Sequence, residues 1–581
     1  VSSLAQLYSV LLSKARAAAK AGSNHQVFQG IANAIAYMEG GDVPKALWRH
    51  IESVITDMDP SQLKAEELHL LHLQALLVSQ TLGVLSSEEL QGATAPLCRH
   101  DMPSYVAKVS ALASTIAWTS SGSQIREELL ETAGRVLAQL YRICDRKWVP
   151  VQNWHAPEPI LDGFKAAMKE LTEHIQLRSP EPRTLPLTAE RLLRHVPQAI
   201  PFEQRVALLR ARVQVAKEAG LSRPVVKLTV RRSHLFEDGL ISLMAKDADW
   251  RARFQVVFVN STGRPEQGQD AGGLFKEFWE KLAETAFNPE YGLFRVTEER
   301  LLFPNPEAWK YHENVETLLE FLGLVIGKAI FEGIVVEPCF ATFFLAKLLG
   351  KHNFYYDLQS LDPALFANLQ QLKNYSGDVS DLCLNFVVTS EGKEVPLLPN
   401  GQDVPVTAEN RVRYIYLLSD FKLNKELHRA SSAFLAGFRR LIDEKWLRML
   451  SEGELQQVIS GSTGGTLDVD DLQRHTEVSN CSGPRDRLVK DFFTALRAME
   501  PQQQVKVLRF VTSCSRAPLL GFSHLQPPFT IYKVHIRNDS EKLPTASTCF
   551  NTLKLPTYSS WKIMKQKLEF VIVQDAGFEL D

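Results

Sequence analysis

Residues 543–560 read LPTASTCFNTLKLPTYSS and place Cys549 in a short loop rich in threonine and serine. Leu553 and Leu555 follow the loop and favour a strand. Small polar neighbours can donate hydrogen bonds to a thiolate, which is the nucleophilic form of cysteine. A cysteine considered alone is nevertheless more often a buried apolar residue than a nucleophile. Composition therefore gives Cys549 no advantage over the other cysteines of the chain.

The number and spacing of the cysteines indicate the redox state of the cellular compartment. Seven cysteines are scattered over 581 residues, and they are Cys98, Cys144, Cys339, Cys383, Cys481, Cys514 and Cys549. The odd count and the lack of a CxxC pair argue against a disulfide framework and against a zinc site. We therefore expect free thiols and a reducing compartment, which means a cytoplasmic and/or nuclear protein.

The composition is that of a globular protein with several domains, because 581 residues exceed what one hydrophobic core supports. The formal net charge of −2 gives no electrostatic argument for nucleic acid as a partner. We expect no membrane span, since the best candidate, Leu318 to Val336, contains Glu320, Lys328 and Glu332.

Two motifs that could bind a metal or a nucleotide are better explained by structure alone. His69 and His72 share a helical face without acidic or thiol partners nearby, so we predict no metal site. The segment GRPEQGQD has glycines at P-loop spacing, but Gln269 and Asp270 replace the lysine and hydroxyl residue that would bind phosphate. No cofactor is expected.

Hydrophobic periodicity divides the chain into a helical first part and a mixed second part. Apolar residues recur at helical spacing in several early segments, namely Leu4 to Leu12, Leu63 to Thr81, Ile125 to Ile143 and, after a proline-rich linker at Ser179 to Arg183, Phe202 to Ala219. Val225 to Val230 and Phe254 to Val259 are β-rich, and Leu274 to Phe287 is again helical. We predict an irregular helical array followed by an α+β region.

The last part of the chain follows a second break. The glycine-rich segment from Ser460 to Gly465 predicts a pliable hinge before a smaller lobe. In that lobe, Phe529 to Ile536 favours a strand. Ser559 or Ser560 can cap a final helix in which four apolar residues share a face, and these are Trp561, Met564, Leu568 and Val571.

The segment around Cys549 closely resembles the signature around the active cysteine of HECT-type ubiquitin ligases. Other segments resemble the same family in the same order, from about Arg223 to Asp581. They are FVNSTGRPEQGQDAGGLFKEF (258–278), LSDFKLNKEL (418–427), ELQQVISGS (454–462), TLDVDDLQRHTEV (466–478) and LRFVTSCSRAPLLGFSHLQPPF (508–529). Several ordered motifs make a far more specific signal than one short pattern.

This resemblance implies an α+β bilobal catalytic domain, and hydrophobic periodicity, without any match to the family, predicts an all-α helical region before it. The larger, mainly helical lobe would cover residues 223–460, with a docking subdomain at about 355–420. Residues 461–465 would form the hinge, with Gly461, Gly464 and Gly465, and the small α/β lobe would cover 466–581. Residues 1–178 would be a helical region that binds substrates or partners, and 179–222 a linker and connecting helix.

The resemblance also implies the reaction and its partners. A ubiquitin-conjugating enzyme would pass ubiquitin to Cys549 as a thioester, and the ligase would then pass it to a lysine of a protein substrate. Thr548 would help to stabilise the tetrahedral intermediate, and Phe578 would position the catalytic lobe. Phe550 and Asn551 match the family and are expected to serve loop structure. The family often has histidine where Ser547 stands, which weakens any Cys–His pair in this loop.

The docking surface for the conjugating enzyme follows from the segment LFANLQQLKNY (365–375) and its continuation. The matching apolar residues are Leu365, Leu369, Leu372, Tyr375, Leu384, Tyr414 and Leu418. Such spacing is equally what any buried helix shows. The resemblance favours a partly exposed apolar groove over simple core packing.

Two other classes of protein stay open. A cysteine hydrolase of ubiquitin conjugates would need a histidine beside Cys549, and His524 and His535 are candidates without a recognisable protease signature. A helical scaffold that binds partners through residues 1–178 would not need Cys549. The scaffold role is compatible with ligase activity.

Overall fold

A computed structural model of the chain describes residues 63, 65–82, 100–119, 123–143, 148–176, 185–218, 224–244, 249–260, 264–265, 273–390, 392–461, 467–480, 486–512, 521–525 and 527–573. The chain divides into two compact units. The first contains residues 1–215 and 448–451, and the second contains residues 216–447 and 452–581.

The described residues of the first unit are helical. The helices are α1 (Ala65–Leu82), α2 (Met102–Trp118), α3 (Gln124–Ile143), α4 (Glu158–Gln176), α5 (Leu187–His195) and α6 (Phe202–Glu218). The predicted helices at 63–81, 125–143 and 202–219 are confirmed to within two residues at each end. The predictions for residues 4–12 and 179–183 lie outside the described residues.

Close helix contacts and buried polar bonds hold the first unit together. A Cβ atom at Gly134 of α3 would lie 2.3 Å from the carbonyl oxygen of His195, so a larger residue there would push α5 away. The buried Arg205 donates from Nε to the carbonyl oxygen of Ile200 (2.9 Å) and from Nη1 to that of Met449 (2.6 Å). These charge-assisted bonds attach residues 448–451 to this unit.

The second unit begins with a parallel pair of strands, β1 (Val226–Arg231) and β2 (Phe254–Val259), connected through α7 (Leu235–Met244). Further elements follow, namely α8 (Gly273–Ala286), β3 (Phe294–Val296), β4 (Leu302–Pro304), α9 (Val315–Glu332) and α10 (Thr342–Leu348). Both strands and α8 agree with the predicted segments to within one residue.

Residues 355–425 form a small group of elements of their own. They are α11 (Leu358–Leu361), α12 (Pro363–Lys373), the antiparallel hairpin of β5 (Val387–Ser390) and β6 (Lys393–Pro396), α13 (Arg411–Asp420) and a π-helical turn (Phe421–Lys425). The chain then continues through α14 (His428–Arg439), α15 (Glu444–Leu447) and α16 (Glu452–Ser460).

Two glycines allow α9 and α14 to cross at very short distance. A Cβ atom at Gly323 would lie 1.9 Å from the carbonyl oxygen of Phe434, and one at Gly437 would lie 1.9 Å from that of Glu320. Helix α9 is buried along most of its length. Its Lys328 is also buried, and Nζ donates to the carbonyl of Ala252 (2.9 Å) and to Glu332 (2.6 Å). No helix that the structure describes is long and apolar enough to cross a membrane.

The C-terminal part contains one four-stranded sheet and several helices. The elements are α17 (Val469–Arg474), β7 (Glu477–Ser479), α18 (Arg487–Arg497), α19 (Pro501–Thr512), β8 (Thr530–Val534), β9 (Thr545–Ser547), β10 (Thr552–Pro556) and α20 (Trp561–Val573). The strand order is β7-β8-β10-β9, with β8 parallel to both β7 and β10. Met564, Leu568 and Val571 of α20 are buried as predicted, and Trp561 is half-buried.

Candidate active site

The sheet of the C-terminal part brings together the two ends of the loop that contains Cys549. Strand β9 enters the loop and β10 leaves it, and Ser547 lies opposite Thr552 in the antiparallel pairing. On its other side Thr552 pairs with Thr530 of β8. The loop is therefore short and fixed at both ends by strand pairing.

Cys549 is the middle residue of a 3₁₀ turn from Thr548 to Phe550. The backbone N–H of Asn551 donates to the carbonyl oxygen of Thr548 (3.2 Å) and closes this turn. Asn551 itself is left-handed, with φ +46° and ψ +40°, a conformation that asparagine tolerates better than most residues. The side chain of Cys549 lies outside the described part of the chain.

The neighbours of Cys549 differ in exposure. Phe550 is 55% exposed, whereas Thr548 is buried and Asn551 is fully buried. The side-chain amide of Asn551 donates to the carbonyl oxygen of Pro527 (2.6 Å). The role of Thr548 in stabilising a tetrahedral intermediate stays a prediction.

Helices α19 and α8 both lie against the Cys549 turn. Arg509 of α19 forms ion pairs with two carboxylates of α8. Its Nε lies 3.8 Å from Oε1 of Glu280, and its Nη2 lies 3.6 Å from Oε2 of Glu284. Helix α8 precedes the predicted hinge in the sequence and α19 follows it, so these ion pairs join segments from the two sides of the predicted hinge.

Glu280 of α8 is a buried carboxyl group. Burial raises its pKa to about 7, with the charge of Arg509 acting in the opposite direction and Glu337 and Glu284 adding to the rise. Perturbed pKa values cluster at functional sites, and structural ion pairs such as the one with Arg509 perturb them as well. The sequence analysis missed Glu280, because a charged residue in an amphipathic helix carries no sign of its burial.

The histidine that a cysteine hydrolase would need is not supplied by His535. Thr530 begins β8 next to the turn, and its N–H donates to the carbonyl of Asn551 (2.9 Å). His535 lies five residues further along, about 16 Å away at the usual rise of a strand, and it is exposed. The side chain of His524 is outside the described residues. Within the described ranges no three His, Cys, Asp or Glu residues cluster as a metal site.

The seven residues of the predicted docking groove lie on or next to α12 and α13. Four are buried, namely Leu369, Leu372, Tyr414 and Leu418, while Leu365 and Leu384 are half-buried and Tyr375 is exposed. The expectation of a partly exposed groove formed by these seven residues stays a prediction. The helical spacing of the four buried residues reflects packing of α12 and α13 into this small subdomain, as the edge contact between Tyr414 and Phe386 shows (5.4 Å between ring centroids).

Other apolar side chains of this region are exposed. Val412 and Tyr416 lie one helical turn apart on α13, on a different face from Tyr414. Arg411 beside them donates to the carbonyl of Tyr375 (2.6 Å), which brings Tyr375 to the same end of α13. Val412 and Tyr416 were not predicted as surface residues, because their i, i+4 spacing is the same as that of a buried helical face.

Comparison with known proteins assigns the family. A family model described as the HECT domain, a ubiquitin-transferase domain, matches residues 280–581, which is just over half of the chain. The chain belongs to the HECT-domain family. The matched residues include the Cys549 turn, residues 355–420 and every described element from β3 onward.

Curated relatives named as ubiquitin-protein ligases extend the similarity beyond the residues that the family model matches. The E3 ubiquitin-protein ligase UPL6 of Arabidopsis thaliana is 41% identical over 403 residues, which is 68% of this chain and 39% of the relative. The ubiquitin-protein ligase E3B of Homo sapiens is 35% identical over 495 residues, 78% of this chain and 45% of the relative. The chain thus spans less than half of the length of these relatives.

Several predicted positions of the HECT domain lie outside the described residues. They are Phe578, Gly464 and Gly465. Gly461 is described and follows α16 with φ +74°, a left-handed conformation that glycine adopts without strain. The hinge and the positioning role of Phe578 stay predictions.

Proposed function

We propose that this chain accepts ubiquitin from a ubiquitin-conjugating enzyme as a thioester on Cys549 and transfers it to a lysine of a protein substrate. The observation that carries the proposal is the Cys549 turn. It places one cysteine, in the HECT signature, in the middle of a short turn fixed between two paired strands.

The chemistry requires two steps. First, the thiolate of Cys549 attacks the thioester carbonyl, its new C–S bond forms, and the thiolate of the conjugating enzyme leaves. Exchange between two thiols is nearly balanced in free energy, so positioning decides its rate. Second, a neutral lysine amine attacks the new thioester, an amide forms, the amine proton is lost and the Cys549 thiolate leaves. A base assists this step.

Docking of the conjugating enzyme is assigned to residues 355–420. The exposed apolar residues Tyr375, Val412 and Tyr416 supply contact area of the type found at the centre of protein interfaces. The buried residues Leu369, Leu372, Tyr414 and Leu418 support this surface from inside. Leu365 and Leu384, being half-buried, complete its margin.

Two successive partners of one cysteine imply a change in lobe position. The larger lobe would end near residue 460 and the smaller one would begin near 466, with Gly461, Gly464 and Gly465 as the pivot. Phe578 would then hold the small lobe for lysine transfer. Residues 1–178 would select substrates, in the cytoplasm and/or the nucleus.

A single-turnover assay tests the proposal. A conjugating enzyme loaded with labelled ubiquitin is mixed with the full chain, and the products are separated with and without reductant. The expected product is a reductant-sensitive adduct that Cys549→Ala does not form and Cys339→Ala forms normally, because Cys339 lies outside both the Cys549 turn and residues 355–420. If folded protein forms no adduct with a broad panel of conjugating enzymes, the proposal is refuted.

A further inference from the structure

Asn551 closes the turn that presents Cys549, and it does so with its backbone and its side chain. The residue is left-handed, at φ +46° and ψ +40°, and no part of it is exposed. Residues other than glycine, asparagine and aspartate pay a steric penalty in this conformation. Position 551 therefore restricts the residues that can follow the turn.

Three hydrogen bonds join Asn551 to the Cys549 turn and to the segment from Pro527 to Thr530. Its N–H donates to the carbonyl of Thr548 (3.2 Å), and its carbonyl accepts from the N–H of Thr530 (2.9 Å). Its side-chain Nδ2 donates to the carbonyl of Pro527 (2.6 Å). The first bond spans Cys549, and the other two fasten the same residue to the segment that leads into β8.

Glycine at this position could adopt the left-handed conformation and make both backbone bonds. The bond to Pro527 is the one that needs a side chain. It fixes the turn against the Pro527–Thr530 segment, so that the backbone of the turn is held by the segment that leads into β8 as well as by β9 and β10. Among the described residues nothing donates to Oδ1 of Asn551, so the amide donor is what the side chain contributes.

We propose that Asn551 is a positioning residue for thiol exchange at Cys549. The inference rests on the proposed function and deepens it. Exchange requires the Cys549 sulfur to approach the thioester carbonyl of a bulky protein in one direction, and a displacement of about 1 Å can cost about a hundredfold in rate. Removing the amide frees the turn to tilt. Loading should slow, while docking of the conjugating enzyme, which is assigned to residues 355–420, stays the same.

The chain offers a matched control in Asn480. This residue is also left-handed, at φ +56°, and its Nδ2 also donates to a backbone carbonyl, that of Lys533 (3.0 Å). It follows β7, on the far side of β8 from β10. Asn480→Gly therefore removes the same chemical interaction from the same sheet without altering the Cys549 turn.

The test compares Asn551→Gly, Asn551→Ala and Asn480→Gly in the full chain. Four quantities are measured for each variant, namely kcat and KM for loading from a conjugating enzyme charged with ubiquitin, the rate at which iodoacetamide alkylates Cys549, and the urea midpoint. For Asn551→Gly we expect kcat to fall about tenfold with KM and the alkylation rate unchanged, because a small reagent needs no fixed approach. Asn551→Ala should be slower still, and Asn480→Gly should load normally.

Several outcomes would overturn the inference. They are an unchanged kcat in Asn551→Gly, an equal fall in Asn480→Gly, a rise in KM in place of the fall in kcat, and a parallel fall in alkylation, which would place the effect in thiol reactivity. If Asn551→Gly does not fold, Asn551→Asp keeps the size and the left-handed preference but replaces the donor by an acceptor, and it should also slow loading. Failure of the wild-type chain to load refutes the proposed function itself, and is therefore distinguishable.

Discussion

The close crossing of α9 and α14 can be tested by a single substitution at Gly323. In Gly323→Ala the new Cβ atom would lie 1.9 Å from the carbonyl oxygen of Phe434 and 2.9 Å from the backbone nitrogen of Phe438. Ordinary contacts begin at 3.4 Å, so the two helices must separate by about 1.5 Å. Backbone atoms cannot rotate away as a flexible side chain can.

The magnitude follows from two opposing effects. Overpacking of a core costs about 1–3 kcal/mol, and a clash between two backbones belongs at the upper end of that range. Alanine regains about 1 kcal/mol because it is the better helix former. We therefore expect a net loss of about 2 kcal/mol in the free energy of unfolding of this region.

Gly453 is the matched control. It also lies in a helix, α16, but a Cβ atom there would meet nothing within 4 Å, and the position is exposed. Gly453→Ala should leave the free energy of unfolding unchanged or raise it by up to about 1 kcal/mol. Hydrogen exchange of peptides from α9 and α14 over a urea series measures both variants. Equal protection of α9 in Gly323→Ala and wild type would refute the proposed close crossing.

Three further predictions concern Glu280, the docking surface and the C-terminal tail. The pKa of Glu280 is raised from 4.5 to about 7 by burial, so the folded chain binds its proton more tightly than the unfolded chain. The contribution of Glu280 to the free energy of unfolding is therefore greatest below pH 4.5. This contribution declines as the pH rises through about 7, by at most about 3 kcal/mol. Urea midpoints at pH 5 and pH 8 should differ less in Glu280→Gln than in wild type, and an identical difference would contradict the burial. Val412→Ala with Tyr416→Ala should raise KM for the conjugating enzyme at least fivefold at an unchanged urea midpoint, consistent with a loss of about 1 kcal/mol or more. Tyr311→Ala, which removes another exposed aromatic residue, should leave KM unchanged, and a similar rise there would disprove a specific surface. Removal of residues 578–581 should slow lysine transfer more than loading of Cys549, as pulse-chase of the adduct would show. An equal slowing of both steps would exclude the positioning role of Phe578.

Strong periodicity made several elements readable from the sequence. The strand predicted at Phe254 to Val259 has the same bounds in the structure, and the helix predicted at Leu274 to Phe287 is displaced by one residue. In each of these segments the apolar residues recur at a regular spacing, and that spacing places them on the face that packs into the core. The final helix was predictable for the same reason, together with Ser560, whose Oγ accepts from the N–H of Ile563 (3.4 Å).

Other features depend on contacts between distant residues. The π-helical turn at Phe421–Lys425 contains Asn424, whose side chain donates to the nearby Asp420. The same side chain also donates to the carbonyl of Asn353, which is far away in the sequence. The parallel pairing of β8 with β10 likewise joins segments separated by a loop and a further strand. Periodicity reports on one element at a time, so it cannot reveal such contacts.

The site was predictable in identity but not in arrangement. The signature around Cys549 identified the nucleophile, since residue types and order carry that information. Spacing could not separate buried Leu369 and Tyr414 from the exposed Tyr416, because both faces of a packed amphipathic helix repeat with the same period. The proximity of Arg509 to Glu280 required the folded chain, as the two residues are 229 positions apart.

The central claim is that Cys549 carries ubiquitin covalently, and Cys549→Ser tests it most directly. A serine oxygen in the same turn should trap ubiquitin as an ester, which resists thiol reductants and is cleaved by alkali. Intact-mass and peptide mass spectrometry should then find one ubiquitin on Cys549 of the wild type, and reductant should remove it. In Cys549→Ser one ubiquitin should be found at the same position, and reductant should not remove it. A reductant-sensitive adduct that persists in Cys549→Ser would place the thioester on another cysteine and contradict the account.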